Sequence, residues 1–158
     1  MHPAREKMEL AIKSIVIPTL REMKFKGTIP HFRRVFENHA DLLTFQFNLS
    51  GGSFVVELAV CTQEDIAAHW RADLSLKKVT AHDLNQRRRL GSVSPGSDHW
   101  FVYGKTNFEP DHERLQLDTA YEKVAREVVA LLQTQAESWW AEVIAVKNHG
   151  VSHASPQP

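Results

Sequence analysis

The sequence predicts an α+β domain: an antiparallel sheet built from hairpins, with N-terminal and C-terminal helices packed on one face. Three observations carry that prediction. Leu43 to Val60 (LTFQFNLSGGSFVVELAV) is two alternating segments joined at Gly51-Gly52, the pattern of a β-hairpin. The chain before it and the last third of the chain both carry apolar residues at helical spacing. Between the hairpin and the second helix, short apolar and aromatic runs alternate with Gly/Pro/Ser loops.

From Arg5 to Lys24, Met8, Ile12, Ile15, Val16, Leu20 and Met23 form one stripe. Pro18 predicts a kink near Ile17, and because Leu20 and Met23 stay in phase the helix continues past it. Gly27 is the expected C-terminal cap. His31 to Phe36 reads as a strand, Phe32 and Phe36 inward and His31, Arg33 and Val35 opposite, followed by a turn at Asn38 to Asp41. A two-residue hairpin loop pairs Leu49 with Phe54, Phe47 with Val56, Phe45 with Leu58 and Leu43 with Val60, which are all apolar pairs. Asn48–Val55, Gln46–Glu57 and Thr44–Ala59 then share the other, half-polar face.

Thr62-Gln63-Glu64-Asp65 has the form of a helix-capping start, with a short helix over Ile66 to Trp70. Leu74, Leu76, Val79 and Thr80 suggest an irregular strand within Asp73 to Gln86. Arg87-Arg88-Arg89 precedes Gly91 and the loop Ser92 to Asp98; Trp100 to Tyr103 is a strand, and Gly104 to Asp111 a second loop. Leu117, Tyr121, Val124, Val128, Leu131, Leu132, Trp139 and Val143 mark the final helical region, with a break near Gln135. Residues 1–149 make one domain, and 150–158 (GVSHASPQP) have nothing to bury and are expected to be disordered.

Composition bounds the function. The chain has 158 residues, enough for one domain with a substantial core, and is 42% hydrophobic and 24% charged. Lys plus Arg and Asp plus Glu both number 19, so the broad positive field of a nucleic-acid binder is missing. A single Cys rules out an intrachain disulfide and a Cys-based zinc site. No apolar run is long enough to span a bilayer, and the N-terminus lacks a signal-peptide core, so the expected location is cytoplasmic, with no membrane or nucleic-acid partner.

The order of short motifs carries a resemblance. A helix with a late Pro, then Phe25-Lys26-Gly27, His31-Phe32-Arg33-Arg34, a Gln-bearing strand, Phe54 to Ala59, Arg89-Leu90-Gly91 and Asp98-His99-Trp100 follow one another. From about Met8 to Leu132 the chain resembles a bacterial family catalogued as domain of unknown function 4304. It departs from the family's frequent double tryptophan by having Trp100-Phe101. The resemblance implies an α+β fold and no activity. It also singles out Arg33 and Arg89, which sit in the shared motifs, over their neighbours.

The candidate ligand-binding residues are Arg33, Gln46, Glu57, Arg89 and Trp100. Guanidinium groups converging from two strands hold a phosphate or carboxylate well, and an aromatic among a few polar groups suits a small pocket. Arginines on edge strands also simply face water and discourage edge pairing. His82-Asp83, Asp98-His99 and Asp111-His112 lack metal-ligand spacing, so no metal site or cofactor is expected. Cys61 reads as a small buried hydrophobe, the serines lie in turns without a nucleophile-elbow context, and no catalytic residue is assigned. Trp139 and Trp140 cannot both face inward on a helix, and an exposed tryptophan suggests a partner surface. The expected function is a non-catalytic protein-interaction module, with an immunity-type protein as one form of it. The alternatives are a small anionic ligand-binding domain using the half-polar sheet face and the arginines, or a hydrolase-type enzyme with a loop-assembled site.

Overall fold

The computed structural model describes residues 2–154, with side chains described as far as His149. The expectation of a disordered tail falls mainly outside those side chains: the last helix runs to Ala154, and 155–158 lie outside the described residues.

The N-terminal helix starts where the His2 side chain accepts from the Ala4 N–H and Pro3 takes the first turn, where no N–H is needed. It runs through α1 (Pro3–Ala11), a π-helical turn (Ile12–Val16) and α2 (Ile17–Glu22) without interruption. Pro18 has no N–H for the ladder, and the wider turn just before it is where the helix absorbs that loss. Its stop is not Gly27. Lys24 takes a left-handed φ of 75°, the Lys24 N–H donates to Arg21 O, and the Phe25 N–H donates to Leu20 O. That pair of bonds is a Schellman cap. Gly27 lies instead in β1 (Lys26–Thr28), where a Cβ would collide with the His31 carbonyl.

The remaining strands are β2 (His31–Val35), β3 (His39–Phe47), β4 (Ser53–Thr62), β5 (Arg88–Arg89) and β6 (Phe101–Val102). They form one antiparallel sheet in the order β1-β2-β3-β4, with β5 and β6 both paired to β4. β3 begins earlier than expected because Val35 pairs with Ala40, which confines the turn to Phe36–Asn38. Phe36 therefore does not point inward; it is 45% exposed and stacks on the His39 ring at 4.5 Å.

The β3–β4 hairpin keeps the expected faces and changes the register. Phe47 pairs with Phe54, Phe45 with Val56, Leu43 with Leu58 and Thr44 with Glu57, a slip of two residues from the tightest loop. Strand faces repeat every two residues, so the core set is unchanged. The loop widens because the Asn48 side chain accepts from the Ser50 N–H and donates to Ser53 Oγ, which closes a turn around Leu49 and Ser50. Leu49, expected opposite Phe54, is 97% exposed.

Two apolar layers sandwich the sheet. On one face Leu43, Phe45, Phe54, Val56 and Leu58 meet Met8, Ile12, Val16 and Leu20, together with Tyr121, Val128, Leu132 and Trp140 from the C-terminal helix. On the other, Ala40, Leu42, Ala59 and Cys61 are covered by Leu74, Leu76, Val79 and Ala81. The covering segment is not the expected strand. Val79 and Lys78 donate their N–H groups back to Ser75 O, and a 3₁₀ turn (Ala81–Asp83) is closed by reciprocal Thr80–Asp83 bonds. α3 (Gln63–Ala68) opens on the Thr62/Asp65 capping box and ends before Trp70, which is exposed.

The C-terminal helix does not break near Gln135. α4 (Asp118–Leu131) passes through a second π turn (Leu132–Ala136) into α5 (Glu137–Ala154). The wider turn advances the phase, so Leu132, Ala136 and Trp140 are buried in succession. Trp140, and not the expected Trp139, is the core tryptophan; its Nε1–H donates to Leu42 O at 3.3 Å.

Candidate functional site

Four neighbouring strands place one polar row on the face opposite the terminal helices. His31 pairs with Thr44, Thr44 with Glu57, and Glu57 with Arg89. Directly paired residues project to the same side, so the row is contiguous. His31 Nδ1 and Thr44 Oγ1 lie 2.9 Å apart. The Glu57 side chain, 5% exposed, accepts from Arg87 Nη1 at 2.9 Å and Arg89 Nε at 3.1 Å. His82, from the 3₁₀ turn of the cover, sets Nε2 3.3 Å from Glu57 Oε2 and packs edge-on against His31 at 5.7 Å. Burial depresses the His31 pKa, helped by the nearby His82 and Arg33.

Arg89 completes the cluster. Its Nη1 lies 3.1 Å from Asp98 Oδ1, outside hydrogen-bond geometry, and its guanidinium stands 5.7 Å from the Trp100 ring. A shallow cleft of about 230 Å³ is lined by Glu57, Asn85, Arg87, Arg89 and Asp98 among others. Chemically this is a buried carboxylate paired with two guanidinium groups. An unpaired buried carboxylate is costly and a paired one is held in place, so the arrangement fixes the cover and β5 onto the sheet.

Glu57, Arg89 and Trp100 are thus brought together as their positions suggested. Gln46 is not among them: the register sets it opposite Val55, exposed, beyond the end of the polar row. Arg33 shares the face but stands on β2, two strands from β4, and its guanidinium does not converge with Arg89. Its Nε donates to Val79 O at 3.1 Å and its Nη2 to Lys78 O at 3.4 Å. Residues outside the expected ligand-binding set are Thr44, visible once the register is right, His31, and His82, which the sequence offers only as half of a His/Asp pair without metal-ligand spacing, in a segment without periodicity.

Arg34, passed over in favour of Arg33, is a structural hub. It donates to Asp41 Oδ2 at 2.8 Å, to Glu137 Oε1 at 2.6 Å and to Met23 O at 3.0 Å, with its guanidinium 4.7 Å from the Phe25 ring. Burial holds the Asp41 pKa above the ordinary carboxylate value despite Arg34.

A family model described as Domain of unknown function (DUF4304) matches residues 16–142. The chain belongs to the DUF4304 family. No curated protein and no solved structure matches it. The DUF4304 match spans the whole sheet, the polar row, the end of the N-terminal helix and most of the C-terminal one. Among the described residues, no three His, Cys, Asp or Glu side chains gather as a metal site, and no helix is long and apolar enough to cross a membrane.

Two further clefts lie at opposite edges of the DUF4304 sheet. Beyond β6, a groove of about 750 Å³ is walled by Val102, Leu115 and Leu117, with Lys105, Asp111, Arg114 and Gln116 as its polar members. At the β1–β2 edge, a cleft of about 290 Å³ is lined by Lys24, Lys26, Arg33, Val35 and Lys77.

Proposed function

We propose that the protein is a non-catalytic protein-interaction module that uses the groove beside β6 as its contact surface and acts in the cytoplasm. The observation that carries this reading is the exposure of large apolar side chains on one concave edge: Leu117 is 81% exposed and Val102 63%, and both wall the groove with Leu115. Phe108, from the same 104–117 segment, is also exposed. Apolar groups ringed by Arg, Lys and Asp are the makings of an interface core with a polar rim. The Glu57 cluster speaks against a catalytic reading, because its buried carboxylate is held by two guanidinium donors, Arg87 and Arg89. It also speaks against an anion site on that cluster, because Glu57 already supplies the counter-charge to Arg87 and Arg89.

The test is affinity capture from a source lysate with wild type and with Val102→Lys/Leu117→Ser. Leu117 occupies the N-cap of α4 without a side-chain cap bond, where Ser is favoured, so the variant keeps its fold. A stoichiometric partner of the wild type should bind the variant roughly 30-fold more weakly, the effect of losing about 2 kcal/mol at an interface hot spot. A partner held equally by both proteins refutes the assigned surface.

A further inference from the structure

The cleft at the β1–β2 edge has a composition that neither the polar row nor the apolar groove shares. Its charged members are four cations, Lys24, Lys26, Arg33 and Lys77, with no carboxylate in the lining. Lys26 and Arg33 are cross-strand partners and therefore share a face. Lys24 is delivered by the left-handed residue of the helix cap, and Lys77 by the segment covering the second apolar layer. The three ammonium groups have no hydrogen bond or ion pair to any described residue. Arg33 is half-buried, and it is anchored by two backbone carbonyls rather than by a carboxylate. Its Nη1 has no acceptor among the described residues. A carboxylate that acts on it, Asp83, is itself engaged by Arg71 Nη1 at 3.0 Å and by the Thr80 N–H. Burial works against the Arg33 charge, and no nearby anion offsets it fully.

Four cations thus line one concavity with no carboxylate among them, so an anion that enters it meets charge of one sign. We propose that this cleft binds the phosphoryl group of a small molecule, with the free N–H groups of Arg33 as hydrogen-bond donors and Lys24, Lys26 and Lys77 as surrounding charge. A phosphate suits it better than a carboxylate: it carries about −1.5 to −2 charge at neutral pH and three acceptor oxygens, which match several cations approaching from different elements. A guanidinium fixed at one edge supplies direction, and lysines supply point charge. A nucleic acid is disfavoured because the chain is neutral overall and the positive charge is confined to one cleft.

The test is isothermal titration of the full chain with inorganic phosphate and with glycerol 3-phosphate, using acetate at matched ionic strength as control. Lys26→Gln/Lys77→Gln removes two exposed, unpartnered charges and should leave folding intact; Lys13→Gln/Lys123→Gln is the matched change elsewhere. Saturable one-to-one binding that weakens at least tenfold in the first variant and not in the second is the expected result. Tighter binding of glycerol 3-phosphate than of phosphate assigns an organic monoester, and equal affinity assigns free phosphate; both sustain the site. Heats that never saturate, that acetate reproduces, or that survive Lys26→Gln/Lys77→Gln overturn it.

Discussion

Replacing Glu57 by Gln keeps the shape of the side chain and removes the charge on which the polar row is built. Glu57 is 5% exposed, while Arg89, Arg87 and His82 are 25%, 37% and 42% exposed at their side chains. Removing one partner of a fully buried pair costs about 3–5 kcal/mol. Arg87 and His82 are exposed enough to regain water, so their links to Glu57 contribute about 0–1 kcal/mol each. Arg89 is the deeper partner, but Asp98 remains beside it. The expected loss is therefore about 2–4 kcal/mol, which for a domain of this size lowers the thermal midpoint by about 4–16 °C. Urea unfolding followed by circular dichroism measures it, and the m-value should not change. The pairing itself is tested by a cycle: Arg89→Gln added to Glu57→Gln should cost at least about 1 kcal/mol less than the sum of the single changes. A loss below 1 kcal/mol, or strict additivity, would show that the carboxylate does not hold the arginines as described.

Three other outcomes follow from the same structure. Burial, with a smaller contribution from Asp65, pushes the Cys61 thiol up to about 12, so a thiol reagent at pH 8 should label it only after denaturant is added; rapid labelling of the native protein contradicts this. Gly52 has φ +82° and a Cβ there would lie 2.8 Å from the Lys105 carbonyl, whereas Gly96 has the same φ and nothing within 4 Å. Gly52→Ala should thus cost about 1–2 kcal/mol more than Gly96→Ala in urea unfolding, and equal losses would deny the close approach. Burial depresses the His31 and His39 pKa values, so the unfolded chain takes up protons first. Their contribution to stability is fully present above the unfolded value of about 6.5 and is lost as pH falls through the lower folded values. Unfolding free energy measured from pH 7.5 to 5.5 should decline, and less steeply in His31→Gln/His39→Gln; an unchanged slope would refute the assignment.

What the sequence shows depends on how locally each feature is determined. The sheet faces are legible because alternation repeats along β3 and β4. The register is not, because it is decided by the Asn48 side chain and by the Gly104–Lys105 backbone lying against Gly52. Both terminal helices are legible as stripes, yet their π turns shift the phase and exchange Trp139 for Trp140. The cover over Ala59 and Cys61 has no period to read, since its backbone bonds are local turns. Hence Glu57, Arg89 and Trp100 were recoverable as neighbours, being on or beside β4, whereas His82 was not. Arg33 lies apart from Arg89 because the contacts that orient it come from that unreadable cover.

The burial of β4 on both faces explains where function can reside. A central strand covered on one side by helices and on the other by a turn-rich segment has no open surface, and every residue from Ser53 to Thr62 is buried. A carboxylate in such a strand must be paired, and Glu57 recruits its partners from β5, the adjoining Arg87 and the cover. The half-polar face is in this way consumed as attachment for the cover, with Arg33 fastening its opposite margin. Surfaces that remain free include those at the sheet edges, one apolar beside β6 and one basic beside β1 and β2. Because β3 and β4 lie between these edges, a protein in the groove and a phosphoryl group in the cleft do not compete for space. Saturating phosphate should therefore leave partner capture by the groove unchanged.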